Sequence, residues 1–149
     1  MKLKQLVVSI ENSPGRLYQV AAALGEAGIN LRALNLVDTG EFGQLRLLVS
    51  DIAKARRILM QLQLPAFVNE VVAFLIPDVP KSLANILGPL TDAGVFVTSM
   101  YSFIGVAGED KAVMIFRFTD NDKAIEILQK IGVTILDEKA FGILEGGGA

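Results

Sequence analysis

The sequence predicts an α+β fold in which one βαββαβ unit occurs twice. Three pairs of segments match along the chain: 14–17 with 80–83, 26–30 with 92–96, and 49–59 with 118–128. Inside both copies the hydrophobic spacing alternates in the same order between the strand period and the helix period. The offset is 66 residues for the first two pairs and 69 for the third, so we expect a longer loop at 105–111 in the second copy.

The first copy begins with a strand and a helix. Residues 4–11 alternate apolar and polar side chains, as a half-buried strand does. The next apolar residues recur at helical spacing and predict one buried stripe: Leu17, Val20, Ala21 and Leu24. Gly28 follows where helices commonly end with a residue in the left-handed conformation, so we expect the helix to stop there.

The rest of the first copy predicts two strands and a second helix. Residues 29–37 and 44–50 have strand character and are joined by a turn at 39–40. Helical spacing then returns at four apolar positions: Ala55, Ile58, Leu59 and Leu62.

The second copy repeats this order. Its two helices are predicted from eight apolar residues: Leu83, Ile86, Leu87 and Leu90, then Ala124, Ile127, Leu128 and Ile131. Its strands are predicted near 95–103 and 111–119. Right-handed crossovers place both helices of such a unit on one face of an antiparallel sheet, which is the ferredoxin-like arrangement.

The domain boundary is predicted to fall inside a strand. We expect a first domain at 1–69, a second at 70–144 and a flexible tail at 145–149. A strand through 67–77 matches both the last strand of one copy and the first strand of the next, so we expect it to be continuous or shared. Whether the two sheets lie side by side or exchange strands stays open.

Two predicted strands are apolar on both faces. In 45–49 and 113–118, both alternating sets of side chains are mostly hydrophobic. Either a partner covers the second face of the sheet, for which a homodimer is the simplest solution, or these are well-buried central strands.

The composition excludes several classes of function. The 149 residues include no Cys and no His, and the formal net charge is −2. Without Cys or His, an enzyme would have to use carboxylates, Lys, Tyr18 or Tyr101, and no pair of these residues is placed in a way that predicts catalysis. We therefore expect no metal, no cofactor and no catalytic residue, and a protein that is not an enzyme. The charge gives no reason to expect nucleic acid, and no apolar run reaches the roughly 18–20 residues of a membrane span, so we expect a cytoplasmic protein.

The segment Ser13-Pro14-Gly15 predicts the start of the first helix. Ser13 is expected to be the N-cap and Pro14 the first helical residue. Gly15 would leave the first amides open, and unpaired amides at the positive end of a helix dipole bind anions such as a carboxylate. The alternative is that the segment only starts the helix sharply.

The chain resembles the ACT domain, a small regulatory module, in two copies that cover nearly its whole length. The resemblance is carried by "ENSPGRL" (11–17) and "EAGIN" (26–30) inside a βαββαβ unit. It implies a free amino acid bound against the first turn at an interface of paired domains, with the turn amides on the carboxylate and Asn12 or Asn30 on the ammonium or side chain. The ligand-binding residues that it implies are Asn12, Ser13, Pro14, Gly15, Arg16, Leu17, Gly28, Ile29 and Asn30.

The second copy departs from this pattern, so we expect its turn to be weaker or purely structural. Val79 replaces Ser13 and removes a cap oxygen, Lys81 replaces Gly15, and Phe96 replaces Asn30. The weaker site would comprise Asp78, Pro80, Lys81, Ser82 and Leu83.

The resemblance implies an amino-acid-binding regulatory or sensor protein without a catalytic domain. We expect it to act as a homodimer on an enzyme or regulator of amino-acid metabolism. The alternative is an interaction or regulatory subunit that has no small-molecule ligand.

Overall fold

The computed structural model describes residues 1–104 and 110–143. Its elements run in the order β1 (Leu3–Glu11), α1 (Arg16–Glu26), β2 (Leu31–Asp38), β3 (Phe42–Val49), α2 (Ile52–Gln61), β4 (Ala66–Pro77), α3 (Ser82–Asp92), β5 (Val97–Ile104), β6 (Lys111–Phe118), α4 (Asn121–Lys130) and β7 (Thr134–Leu136), followed by a 3₁₀ helix at Lys139–Phe141. This order confirms the predicted fold class, a βαββαβ unit repeated twice. The predicted tail at 145–149 and most of the predicted loop at 105–111 lie outside the described residues.

The chain divides into two compact units. The N-terminal unit comprises Lys4–Asn69 and Glu138–Ala149, and the C-terminal unit comprises Met1–Leu3 and Glu70–Asp137. The boundary between Asn69 and Glu70 falls within β4, so the first residues of this strand belong to the N-terminal unit and the others to the C-terminal unit.

The N-terminal unit has an antiparallel sheet in which β3 lies between β1 and β2. The register places Leu6 of β1 and Leu34 of β2 opposite Leu47 of β3, so these side chains share one face. On that face the sheet packs against α1 and α2 in a hydrophobic core that includes Leu6, Val8, Val20, Leu24, Leu45, Leu47, Ala55 and Leu59. Strand β2 is the edge strand of this sheet.

The C-terminal unit repeats the arrangement. Strand β6 pairs with β4 and β5, and β7 pairs with the other side of β4. The rings of Phe74 and Phe116 meet edge to face, with centroids 5.1 Å apart and planes at 68°. Around them lies a core shared by the sheet, α3 and α4, which includes Val72, Ile86, Leu90, Met114, Ala124 and Leu128.

Glycines end α1 and α3 in the same way. Gly28 has φ 77° and donates its N–H to Gly25 O, while Ile29 N–H donates to Leu24 O. This pair of bonds is the Schellman motif, which needs a left-handed residue and therefore favours glycine. The predicted stop at Gly28 is thus confirmed, and Gly94 repeats it after α3 with φ 75°.

The two strands with apolar faces are buried within a single chain. The hydrophobic side chains of 45–49 and 113–118 are at most 8% exposed. These side chains are therefore buried without a second chain. The structure supports the interpretation that the two segments are well-buried central strands.

Candidate ligand-binding site

The β1–α1 turn has a different geometry from the predicted helix cap. Arg16 N–H donates to Ser13 O at 3.3 Å, and Gly15 has φ 81° and ψ −4°. These values match a type II turn with Pro14 and Gly15 at its two central positions. Helix α1 begins only at Arg16, because a residue with positive φ cannot belong to a right-handed helix. The prediction of Ser13 as N-cap and Pro14 as first helical residue was therefore wrong.

Some amides of this turn are occupied and others are free. Asn12 N–H donates to Glu41 O at 3.0 Å, and Ser13 N–H donates to Glu11 O at 2.8 Å. In the part of the chain that the structure describes, no partner is recorded for the amides of Gly15, Leu17 and Tyr18. Free N–H groups in a first helical turn, together with the helix dipole, favour an anion at this position.

A small cleft opens beside the turn, within the N-terminal unit. Its volume is about 90 Å³, and its walls are Ile10, Glu11, Asn12, Ser13, Leu17, Leu36, Asp38 and Gly43. Leu17 and Leu36 are 40% and 45% exposed, so the cleft has an apolar side that the protein leaves partly uncovered. The exposure of Leu17 corrects its predicted place on the buried stripe of α1, where Val20 and Leu24 are buried and Ala21 is exposed.

The side chain of Asn12 connects the turn to the β2–β3 hairpin by hydrogen bonds. Its Nδ2 donates to Asp38 Oδ1 at 3.4 Å and to Gly40 O at 3.3 Å, and Asp38 Oδ1 also accepts from Gly40 N–H at 2.9 Å. The second carboxylate oxygen of Asp38 and the side-chain carbonyl of Asn12 have no recorded partner among the described residues. Both can accept a hydrogen bond from an ammonium group.

Arg16 lies outside this cleft. It lines a wider recess of about 800 Å³ along the outer side of α1, and the turn residues Ser13, Pro14 and Gly15 line the same recess. Its Nη1 donates to Gln19 Oε1, while its buried Nε has no recorded partner among the described residues. The structure therefore separates Arg16, Pro14 and Gly15 from Asn12 and Leu17, which line the cleft.

Gly28, Ile29 and Asn30 lie at the opposite end of α1 from the turn. Helix α1 has 11 residues, which is about 16 Å of helix. Asn30 N–H donates to Ser50 Oγ at 2.8 Å, beyond the far end of β3, and Ile29 is buried. Within one unit these residues cannot touch the same small ligand as Asn12 and Leu17. The local role of Gly28 is to end the helix.

The second copy has the same turn without glycine. Ser82 N–H donates to Val79 O at 3.3 Å, and Lys81 has φ 73° and ψ −7°. Neither α1 nor α3 has a side-chain cap, so Val79 removes no cap oxygen, contrary to the prediction. Asp78 N–H donates to Asp110 O, which occupies its amide.

The other residues predicted for the second site have mixed environments. Pro80 is exposed, Leu83 packs partly against the core of its unit, and Ser82 is only 8% exposed. These residues do not form one cleft with Asp78, because Ser82 lines a separate cavity that is described below.

Sequence reasoning missed Leu36 and Asp38 as cleft residues. The predicted turn at 39–40 was the available signal, because it brings the end of β2 to the same end of the sheet as the β1–α1 turn. Which side chain of β2 faces the cleft depends on the strand register. A bulge between Leu31 and Ala33 shifts that register, and spacing alone does not reveal it.

Residues 1–104 and 110–143 contain neither a metal-ligand cluster nor a membrane-spanning helix. In those ranges no cluster of three or more acidic residues could hold a metal ion. None of the helices there combines the length and hydrophobicity needed to cross a bilayer.

Comparison with known proteins gives one family and several similar structures. The family described as "ACT domain pair" matches residues 1–144. Protein BT0572 from Bacteroides thetaiotaomicron is 38% identical, with a TM-score of 0.88 over 97% of this chain and 98% of that one. No curated protein sequence matches the chain.

Two more distant structures share the fold. The regulatory subunit of aspartate kinase from Thermus thermophilus, in its ligand-free form, has 16% identity and a TM-score of 0.62 over 85% of this chain and 90% of that one. The aspartate kinase of Clostridium acetobutylicum has 13% identity and a TM-score of 0.56 over 87% of this chain and 33% of that one.

Proposed function

The chain belongs to the family of ACT domain pairs, which confirms the resemblance found in the sequence, and from this we propose that it is a regulatory protein that binds a free amino acid at its β1–α1 turn. The observation that carries the proposal is the cleft beside that turn, which is lined both by Leu17, whose amide has no recorded partner among the described residues, and by the carboxylate of Asp38. We further propose two domains, at 1–69 and 70–144, and a cytoplasmic location.

The cleft has complementary groups for both charges of an amino acid. The free amide of Leu17, which lines the cleft, suits the ligand carboxylate, and the amides of Gly15 and Tyr18 are free at the same end of α1. The helix dipole adds about 0.3–1 kcal/mol at an exposed site. Asp38 and the carbonyl of Asn12 suit the ammonium. Leu17 and Leu36 offer an apolar wall for the ligand side chain. A free backbone amide and a carboxylate that line the same cleft favour a zwitterion over a simple anion or cation.

The cleft requires a cover, which we propose is a second copy of the chain. Its volume of about 90 Å³ equals roughly three water molecules, so it encloses only part of most amino acids. Strand β2 is an edge strand that also exposes Leu34 to 54%. Leu34, Leu36 and Leu17 form the edge patch of the N-terminal unit. Antiparallel pairing of two β2 strands would bury both patches and close both clefts symmetrically.

This arrangement would allow a ligand to regulate a partner. An amino acid held by both copies binds the dimer better than the monomer, and so shifts the equilibrium between them by its difference in affinity. A target that distinguishes the two states, which we propose is an enzyme or regulator of amino-acid metabolism, would then respond to the amino-acid concentration. In this proposal the chain itself performs no catalysis.

Thermal unfolding with a panel of free amino acids tests the proposal. At a hundred times its dissociation constant a ligand adds about 2.7 kcal/mol, which is several degrees in Tm for a chain of this size. One chemical class of amino acid should raise the Tm. Asp38→Asn keeps an oxygen for Gly40 N–H but loses the charge, and it should reduce the shift strongly.

The matched control is Asp92→Asn, the same chemical change at the end of α3, which should leave the shift intact. If no amino acid raises the Tm, the amino-acid proposal is wrong, and the alternative of an interaction subunit without a small-molecule ligand takes its place. If Asp38→Asn and Asp92→Asn behave alike, the ligand binds elsewhere.

A further inference from the structure

The C-terminal unit contains a cavity of about 410 Å³ at the start of α3. It lies between the end of β4, the first turns of α3 and the turn that joins α4 to β7. Its volume falls within the roughly 300–1,000 Å³ typical of small-molecule sites. The cavity lies entirely within the C-terminal unit and shares no wall with the cleft described above.

A serine hydroxyl lies in the cavity wall. Ser82 lines the cavity and is only 8% exposed. Among residues 1–104 and 110–143, no hydrogen bond is recorded for its side chain. The hydroxyl is not among the fully buried unpartnered atoms of the described residues, so it is accessible from the cavity and can bond to a ligand oxygen there.

The helix beside the cavity adds a positive potential. Ser82 is the first residue of α3, and in the described chain the amides of Leu83 and Ala84 have no recorded partner. With the dipole of an 11-residue helix, these groups favour a negative charge near the hydroxyl.

Three residues that line the cavity are smaller than their equivalents in the first copy. The equivalents of Ser82, Asn85 and Gly132 are Arg16, Gln19 and Gln63. In the first copy Arg16 and Gln19 bond to each other and line the recess along α1. The second copy thus has two shorter polar side chains in their place, so the two copies differ in the chemistry of this surface.

The lining indicates the chemistry of the occupant. One wall is aliphatic, formed by Leu75, Ile86, Ile131 and Val133, and the polar groups are Ser82, Asn85, Lys111 and Thr134. None of the lining residues, all of which the structure describes, is acidic. We propose that this cavity binds a small branched aliphatic monocarboxylate that lacks an ammonium group. An amino acid is disfavoured because its ammonium would have no carboxylate partner among the lining residues. The inference does not depend on amino-acid binding at the first turn.

An NMR titration of the full chain with isovalerate tests the proposal. Isovalerate should saturate a site whose amide shifts fall on 82–86 and 131–134. Acetate, which lacks the tail, should bind at least about tenfold more weakly, and isopentylamine, which carries the opposite charge, should cause no shifts there. Saturation without shifts in these segments, or equal responses to isovalerate and isopentylamine, would overturn the proposal.

Two variants locate the site. Ser82→Arg installs the residue of the first copy and should weaken isovalerate binding by at least about tenfold, whereas Arg16→Ser should leave it unchanged. Ser82→Ala removes only the hydroxyl, preserves packing and should weaken binding several-fold, so the test holds even if Ser82→Arg impairs folding. Unchanged affinity in Ser82→Ala and in folded Ser82→Arg would contradict the assignment. Shifts confined to 12–18 would instead locate isovalerate at the first turn.

Discussion

Gly15 and Lys81 occupy the same position of the same turn, 66 residues apart, with φ values of 81° and 73°. In each copy a hydrogen bond closes the turn: Arg16 N–H donates to Ser13 O, and Ser82 N–H donates to Val79 O. The fold thus imposes a left-handed residue at the start of α1 and of α3. Only the first copy meets this requirement with glycine, the residue for which the conformation carries no steric cost.

Lys81→Gly should stabilise the protein. The left-handed conformation of a residue with a side chain destabilises the folded state by about 1–2 kcal/mol, and glycine removes this cost. The greater conformational entropy of glycine in the unfolded chain offsets about 0.4–1 kcal/mol of that gain. The net gain is expected to be roughly 0.5–1 kcal/mol by these figures. Urea unfolding, followed separately in each unit by NMR, should show the gain in the C-terminal unit.

The matched control is Gly15→Lys, which introduces the same strain into the first copy and should destabilise the N-terminal unit. Nothing lies within 4 Å of a Cβ built at Gly15, so the loss would come from backbone conformation and not from a clash. A loss of stability in Lys81→Gly would show that contacts of the lysine side chain stabilise the folded state by more than its left-handed backbone conformation costs.

Arg32→Ala should loosen the segment at 138–143. Arg32 Nε donates to Phe141 O, and Phe141 is buried within the N-terminal unit. Because hydrogen bonds from charged groups contribute about 1.5–3 kcal/mol when well shielded and Arg32 is exposed, we expect a loss nearer 1 kcal/mol. Hydrogen exchange of Phe141 and Ile143 amides should accelerate.

The control for this effect is Arg57→Ala, which removes an exposed arginine from α2. Gly142→Ala tests the same contact in a second way. Its new Cβ would lie 3.1 Å from Arg32 Nη2, and Gly142 has a φ of 63°, which a residue with a side chain rarely adopts. It should accelerate exchange in the same segment. Unchanged exchange in both Arg32→Ala and Gly142→Ala would contradict the anchoring role of Arg32.

Lys2 should give a stabilisation that disappears only at high pH. A hydrogen bond to Asp122, at 2.9 Å, and the nearby charge of Glu70 raise the pKa of Lys2 above its ordinary value of 10.5. A raised pKa in the folded state means that the contribution is fully present below the unfolded value and is lost as pH rises through the folded one.

Comparison of Lys2→Met with the unmodified chain measures this contribution. The variant should have a lower Tm at neutral pH and low salt, and the difference should vanish at a pH above the raised pKa. Added salt should also reduce it, because the pair is solvent-accessible. A difference in Tm that persists unchanged at high pH would mean that Lys2 stabilises the protein by packing of its aliphatic carbons and not by its charge.

The sequence predicted the elements well because their signals are local. Gly28 marked the end of α1 correctly, since few other residues tolerate the conformation that a Schellman motif requires. The Pro14-Gly15 pair was misread because Ser-Pro fits both a helix cap and the first half of a type II turn. Only the positive φ of Gly15, a property of the folded chain, distinguishes them.

The candidate site was less predictable because it depends on tertiary register. Asn12 and Leu17 were identified from the turn, but their neighbours Leu36 and Asp38 come from a strand whose bulge changes which side chains face the cleft. Asn30 was grouped with the turn through a family motif, and its place at the other end of α1 follows from the length of that helix. Spacing along the chain does not encode such distances.

We propose that the free amides of Gly15, Leu17 and Tyr18 at the start of α1 hold the ligand carboxylate. An NMR titration that follows these three amides during addition of each free amino acid tests this directly. We predict that one class of amino acid shifts all three amides in a saturable manner, and that the corresponding amine without a carboxylate does not. If the three amides stay unmoved while an amino acid binds elsewhere, or if none binds at millimolar concentration, the central claim is contradicted.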